Sequence, residues 1–353
     1  MESLIASALQ NSQTAQKREF KPEEIKIAVV GVGGGGTNTI HRLKSMGIQS
    51  AKTIAINTDA NHLKLINADK KMLIGASITK GMGAGGYPEI GMKAAEGARE
   101  KIAEALDGNE LVFVTTGLGG GTGTGAAPVV AEIAKKIGAI TIGVVTFPFA
   151  LERARLEKAD WGLEQMRKAC DTVIIVDNNK LVSYVPNLPM NQAFQVADTL
   201  LSKSVKGIAD TIMLPSLMNI DFADVKMIVS TGDVSMISVG EGKGSNKVQE
   251  AIDSTLAHPL LDVDTSGAKG ALILITGSSK SLSLGDAVKI GEGITQNFDE
   301  HAYVKWGARI IEEQGDSVQV TAVLTGVNSD QIIGGQTSQT TQTTPYQMQS
   351  IQF

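Results

Sequence analysis

The chain has 353 residues, 42% hydrophobic and 20% charged, with a formal net charge of −5, which is length enough for two domains with cores of their own. A mildly acidic balance without a basic stripe argues against a nucleic-acid partner, and a single cysteine, Cys170, excludes an internal disulfide and fits a reducing compartment. Met1-Glu2-Ser3-Leu4 lacks the basic start of a signal peptide, and the longest uncharged apolar stretch, residues 137–151, is broken by Gly138, Gly143 and Pro148, so a cytoplasmic chain without direct membrane insertion is expected.

Residues 1–24 are polar and aperiodic, the pattern of a disordered extension. Residues 25–30 read as a first strand, followed by Gly31-Val32-Gly33-Gly34-Gly35-Gly36-Thr37-Asn38 and a helix with Ile40, Leu43 and Met46 on one face. A second strand over 53–56 closes on Asn57-Thr58-Asp59, and a short third follows at 71–74. A flexible loop at 81–86 precedes a helix over 88–106. Leu111-Val112-Phe113-Val114 reads as a buried parallel strand, then comes Gly119-Gly120-Gly121-Thr122-Gly123-Thr124-Gly125, then a helix over 126–137. A strand at 140–146, a charged helix at 157–169 and a strand at 172–176 continue the alternation, which predicts a parallel sheet wrapped on both faces.

Residues 191–213 form one long helical pattern, with Ala197, Leu201, Val205, Ile208 and Ile212 on a single stripe and Pro215 ending it. Past Val225 the character changes. Strands are expected at 227–230, 235–240, 271–276, 303–309 and 317–324, with helices near 247–256 and 285–298: a second, smaller α+β domain. Residues 328–353 are rich in Gln, Thr, Ser and Gly and are expected to be a disordered tail. Its final stretch, Tyr346 to Phe353, suits a short docking peptide as well as a plain disordered end.

The chemistry concentrates in the glycines. Five of them at a strand-to-helix junction, residues 119–125, let the backbone approach a ligand closely, and amides at the positive end of a helix favour phosphate. The lysine of a P-loop is missing there and elsewhere. Gly31 to Gly36 formally satisfies the dinucleotide fingerprint GxGxxG, with Asp59 after the second strand, so a nicotinamide-dependent dehydrogenase is one reading. That enzyme needs one such turn, whereas three glycine-rich loops, 31–36, 81–86 and 119–125, gather here at one sheet edge, which suits a triphosphate better. Asp59 at the same edge is a candidate to hold hydrated Mg²⁺ through water, or equally the end of an Asx-type turn. Asp221 and Asp224, three residues apart after the long helix, lie on one face and also suit a helix cap.

In order along the chain, Gly31–Asn38, Asn57-Thr58-Asp59-Ala60, Gly83-Ala84-Gly85-Gly86, Gly119–Gly125, Asn191-Gln192-Ala193-Phe194 through Asp198, and Asn219-Ile220-Asp221-Phe222-Ala223-Asp224 resemble the FtsZ family of tubulin-like cell-division GTPases over about residues 25–327. The segment from Pro259 through Arg309 looks closer to archaeal members. The resemblance implies a Rossmann-like parallel-sheet GTP-binding domain at 25–190, a central linking helix at 191–214 and a GTPase-activating α+β domain at 215–327. It implies that Gly34, Gly35, Gly36, Thr37 and Asn38 contact the phosphates, that Ala84, Gly85 and Gly86 face the γ-phosphate, and that Gly119, Gly120, Gly121, Thr122, Gly123 and Thr124 grip the α- and β-phosphates. Glu152 and Arg155 would lie by the ribose, Phe194 would stack on guanine, and Asn178 and Asp198 would hydrogen-bond the base. A carboxylate at Asp198 suits guanine, because it accepts from N1–H and N2–H₂.

Asn219, Asp221 and Asp224 would act in trans, completing the site of the next subunit in a head-to-tail homopolymer that hydrolyses GTP to GDP with Mg²⁺. The glycine loops supply no basic finger, so hydrolysis is expected to be slow until assembly. The resemblance further implies a cytoplasmic filament at the mid-cell division site, with membrane-tethering or division proteins bound through the tail. Three places depart from the family pattern. Leu151-Glu152-Arg153 lacks a usual glycine and is one residue short, Phe147 replaces a basic or polar residue, and Asp177-Asn178-Asn179-Lys180 replaces Pro-Asn-Asp/Glu-Lys.

Overall fold

The computed structural model describes residues 25–180, 187, 189–213, 220–230, 234–257, 265 and 268–327. The expected N-terminal extension and C-terminal tail, Pro215 and Asn219 lie outside the described residues, as do the side chains of Phe194, Ala197 and Leu201.

Six strands make the parallel half of the sheet: β1 (Ile27–Val32), β2 (Lys52–Asn57), β3 (Lys70–Leu73), β4 (Leu111–Gly117), β5 (Ile140–Phe147) and β6 (Thr172–Asp177). Four more extend it: β7 (Val234–Lys243), β8 (Gly270–Gly277), β9 (Tyr303–Ile310) and β10 (Ser317–Thr325). The order is β3-β2-β1-β4-β5-β6-β7-β10-β8-β9. The two halves are stitched by a short parallel pairing, Val173 with Val234 and Ile174 with Ser235. β10 runs antiparallel to both β7 and β8, and β9 is a parallel edge strand.

Strands buried on both faces carry apolar residues on both, and the first four residues of β4 show why. Its Leu111 and Phe113 face one apolar cluster, and its Val112 and Val114 face another. The first cluster is covered by α1 (Gly33–Ser45), α2 (Ala60–Leu65), α8 (Met190–Met213) and α9 (Phe222–Ser230). The second lies under α4 (Pro88–Glu96), α5 (Arg99–Leu106), α6 (Thr122–Lys136) and α7 (Arg153–Ala169). A third cluster fills the space beneath α10 (Lys247–Leu256) and α11 (Leu284–Thr295). The short α3 (Ala76–Thr79) precedes the 81–86 loop. Cys170 is a free thiol in the second cluster, and burial pushes its ionisation well above the usual thiol range.

Four local expectations are corrected. Residues 227–230 are not a strand but the end of α9: Asp221 precedes it, and Val225, Ile228 and Val229 are buried at helical spacing. The first glycine run is not a loop, since Gly31 and Val32 belong to β1 and Gly33 to Gly36 form the first turn of α1. Likewise Thr122 to Gly125 begin α6. The helix expected over 88–106 is two, broken where Ala98 leaves helical geometry after Gly97 (φ −113°, ψ 10°).

Candidate functional site

β1 is flanked by β2 on one side and β4 on the other, so the chain reverses its direction of travel across the sheet at β1 and β4. The crevice beyond the carboxyl ends of strands at such a point is where open α/β sheets bind ligands. Two helices begin there, α1 after β1 and α6 after β4, and neither has a side-chain cap at its N-terminus. Some other helices carry caps: Asp59 caps α2, Ser283 caps α11 in a reciprocal box with Asp286, and the Asp221 carboxylate accepts the Asp224 N–H at 2.7 Å at the start of α9. The helices α3, α4, α5, α7 and α10 lack a side-chain cap as α1 and α6 do, so what sets α1 and α6 apart is their glycine-rich start at the strand-order reversal. The uncapped amides of α1 and α6 are therefore donors that an anion can satisfy.

Glycine is required for the two helix starts to meet. At Gly33, whose φ is +72°, a Cβ would stand 2.6 Å from the Gly123 nitrogen, and at Gly36 it would collide with the Thr115 carbonyl oxygen. By contrast a Cβ at Gly34 or Gly120 would meet nothing within 4 Å. Gly34, Gly35 and Asn38 are exposed, and Gly120 is half-buried. These residues line the open side of the crevice. Gly121, Thr122, Gly123 and Thr124 are buried and form its floor.

The threonines are mostly engaged behind that floor. The Thr37 hydroxyl donates to the Gly33 carbonyl at 2.7 Å, Thr122 and Thr58 share a 2.6 Å hydroxyl hydrogen bond, and Thr124 is fully buried beside Gly162 of α7.

The third loop is tied to the same edge. Gly83 N–H donates to the Thr58 carbonyl at 3.2 Å, and Ala60 N–H to the Gly81 carbonyl at 2.9 Å. A Cβ at Gly121 would stand 2.9 Å from the Ala84 Cβ and 2.7 Å from the Tyr87 nitrogen, so the 83–86 and 119–125 segments are in contact. Ala84 is buried, Gly85 exposed and Gly86 half-buried. The Asp59 carboxylate receives the Asn61 and His62 N–H groups at 2.9 and 3.0 Å as the α2 cap. Among the described residues no three His, Cys, Asp or Glu gather as a metal cage. A single carboxylate at this edge, Asp59, fits a cation held mainly by phosphate and water.

α7 brings Glu152 and Arg155 to the rim. They pair at 2.5 Å, and a Cβ at Gly119 would stand 2.8 Å from the Arg155 Cβ. Asn178 opens a helical turn after β6, and Asn179 receives the Ala150 N–H at 2.8 Å, fixing the segment that departs from the family pattern. Asp198 of α8 is half-buried and hydrogen-bonded to Thr39 of α1. Burial raises its pKa to about 6, partly opposed by Arg42 and Thr39.

The sequence reading missed three side chains. Lys158, one turn beyond Arg155, donates to the Gly86 carbonyl at 2.7 Å and lies over the Tyr87 ring. His62 contacts both Thr37 and Asn57 at 3.3 Å. Lys305 on β9 pairs with Asp224 at 3.0 Å. No local pattern marks them, because each is delivered by tertiary packing.

Residues 26–186 match the family model described as "Tubulin/FtsZ family, GTPase domain", and residues 233–328 match "FtsZ family, C-terminal domain". The chain is 57% identical to "Cell division protein FtsZ 2" of Methanocaldococcus jannaschii over 337 residues, 95% of this chain and 88% of that one. It is 48% identical to the protein of the same name from Halobacterium salinarum over 344 residues, 96% and 87% of the two chains. The solved structure "FtsZ dimer, empty" from M. jannaschii superposes with a TM-score of 0.81 at 46% identity, covering 91% of this chain and 92% of that one. A crevice at the strand-order reversal, two uncapped glycine helix starts and this breadth of similarity lead to one assignment: the chain belongs to the FtsZ family of tubulin-like cell-division GTPases.

Proposed function

We propose that this chain binds GTP at the α1/α6 crevice and hydrolyses it as a head-to-tail filament at the division site. The observation that carries the reading is the pair of uncapped helix N-termini at one strand-order reversal, with Gly34 and Gly120 open toward the crevice. Amides of residues 34–38 and 119–124 bind the phosphates, with the 84–86 loop on the γ-phosphate. Phe194 stacks on the base, and Asp198 and Asn178 hydrogen-bond it. Glu152 and Arg155 flank the ribose. Asp59, through water, and the phosphate oxygens would hold Mg²⁺, which when bound neutralises charge on the phosphates.

Asn219, Asp221 and Asp224 of one subunit complete the site of the next, and the carboxylates of Asp221 and Asp224 polarise the attacking water. Support for two carboxylates with separate duties comes from their surroundings: Asp221 is exposed at the start of α9, while Asp224 is shielded and paired with Lys305. A contact in which one end of a subunit meets the opposite end of another does not close, so it propagates as a filament. The M. jannaschii structure named as a dimer supports self-association. The working division is a GTP-binding unit at 25–190, a linking helix at 191–214, an activating unit at 215–327, and a tail at 328–353 that docks membrane-tethering or division proteins.

The test is hydrolysis per subunit against protein concentration, with light scattering in GTP and in GDP. A shared site requires turnover per subunit to rise with concentration and scattering to need GTP. Turnover independent of concentration overturns it. Asp221→Ala is expected to bind GTP and polymerise, with turnover reduced at least about a hundredfold. Full turnover by that variant removes Asp221 from the mechanism.

A further inference from the structure

The carboxylate assigned to the neighbouring subunit's water is not free in this chain. Asp224 stands in the first turn of α9, its side chain 15% exposed, and Lys305 approaches it to 3.0 Å from β9. β9 is an edge strand, and a lysine on an edge strand ordinarily serves to discourage strand pairing from solvent. Lys305 does not point that way. It stands opposite Leu272 in the β8–β9 register, and Leu272 belongs to the apolar cluster that α9 covers, as does Tyr303 two residues earlier. Val304 and Trp306 face the opposite cluster.

The Lys305 stem therefore rises on the α9 face, and its ammonium ends at the helix's N-terminal turn, over the Tyr303 ring. A cation at the positive end of a helix is unfavourable unless a carboxylate holds it there, and here that carboxylate is Asp224, which raises the Lys305 pKa. The Asp224 backbone is fixed in turn by the Asp221 cap.

On the reading of a shared site, the approach of Asp224 to another subunit's γ-phosphate brings like charges together. We propose that Lys305 is a positioning residue for hydrolysis, holding the Asp224 carboxylate at the outward end of α9 and offsetting its repulsion from the neighbouring subunit's triphosphate. Lys305 thus acts through Asp224 and leaves nucleotide binding to the other end of the subunit. A lysine with only a structural role would lower stability and leave turnover alone.

The test compares Lys305→Met, which keeps the stem, with Lys305→Arg, Asp224→Asn and the double variant Asp224→Asn/Lys305→Met. The readouts are GTP affinity, sedimented polymer and GTP turnover per polymerised subunit. Lys305→Met is expected to keep GTP affinity within about twofold and to lose about tenfold or more in turnover per polymerised subunit, the scale of one charge-assisted hydrogen bond. Lys305→Arg restores most of it. The double variant equals Asp224→Asn alone.

Turnover of Lys305→Met within about twofold of wild type, or a double variant clearly below Asp224→Asn, overturns the proposal. If Lys305→Met does not assemble alone, turnover is read in copolymers with wild-type protein, where a fall with variant fraction supports the proposal and no fall overturns it. Full turnover by Asp224→Asn is a different result: it removes the carboxylate, and with it the shared-site reading on which the proposal rests.

Discussion

Asp198 carries a cost in stability at the position proposed to read the base. Burial raises its pKa from the ordinary 3.8 to about 6, because ionising it between α8 and α1 forfeits water. A raised carboxylate pKa stabilises the fold below 3.8, and that contribution disappears as pH rises through about 6. The difference between the two limits is up to about 3 kcal/mol, reduced by the group's partial exposure, and a neutral side chain at this position does not incur it. Asp198→Asn is therefore expected to raise the thermal midpoint of the nucleotide-free protein near pH 8 and to leave it unchanged near pH 4. If Asp198 reads guanine, the same variant loses about tenfold or more in GTP affinity, because the amide cannot accept both base donors. A variant that gains stability and binds GTP normally separates the two roles and removes Asp198 from base recognition.

At the scale of elements, the helix starts divide the glycines into two kinds. Gly125 faces α4, where a Cβ would collide with the Pro88 carbonyl oxygen, whereas Gly34 faces open space. Gly125→Ala is expected to destabilise the fold by about 2–3 kcal/mol, read as a lower denaturant midpoint. Gly34→Ala is expected to stabilise the nucleotide-free chain by up to about 1 kcal/mol through helix propensity and to weaken GTP binding. Unchanged affinity would remove Gly34 from the phosphate cradle.

The same elements show what the sequence makes legible. An apolar strand, a glycine run and an amphipathic segment are local patterns, so the crevice stood out from residues 31–38 and 119–125 alone. Where helix and loop divide inside a glycine run was not legible, because glycine has weak local preference and packing decides. Residues 227–230 read as a strand because four residues cannot separate a period of two from 3.6, and the preceding Asp221 cap decided it. Lys158, His62 and Lys305 reach their partners across 72, 25 and 81 residues of sequence, a juxtaposition that only the sheet order creates.

At the scale of the whole molecule, α8 contacts both α1 and the β7–β10 half of the sheet. Its Asp198 meets Thr39 of α1, and its Val205, Ile208 and Ala209 are buried in the cluster beneath α1 and α9. Near the helix's other end, Gly207 lies against β10, where a Cβ would stand 3.1 Å from both terminal atoms of the Thr321 side chain. A helix of 24 residues spans roughly 36 Å, so a small movement at the Asp198 end displaces the far end without bending. That makes α8 suited to link nucleotide state to the β7–β10 half, in the manner of a packed element with two arrangements. Gly207→Val adds bulk against Thr321 and lifts the helix from β10 while leaving Asp198 in place. The expected result is GTP affinity within about twofold of wild type and a critical concentration for assembly raised several-fold, measured by sedimentation across protein concentrations. Comparison of monomer and filament structures gives the independent check, since a helix in the same place in both cannot carry the coupling.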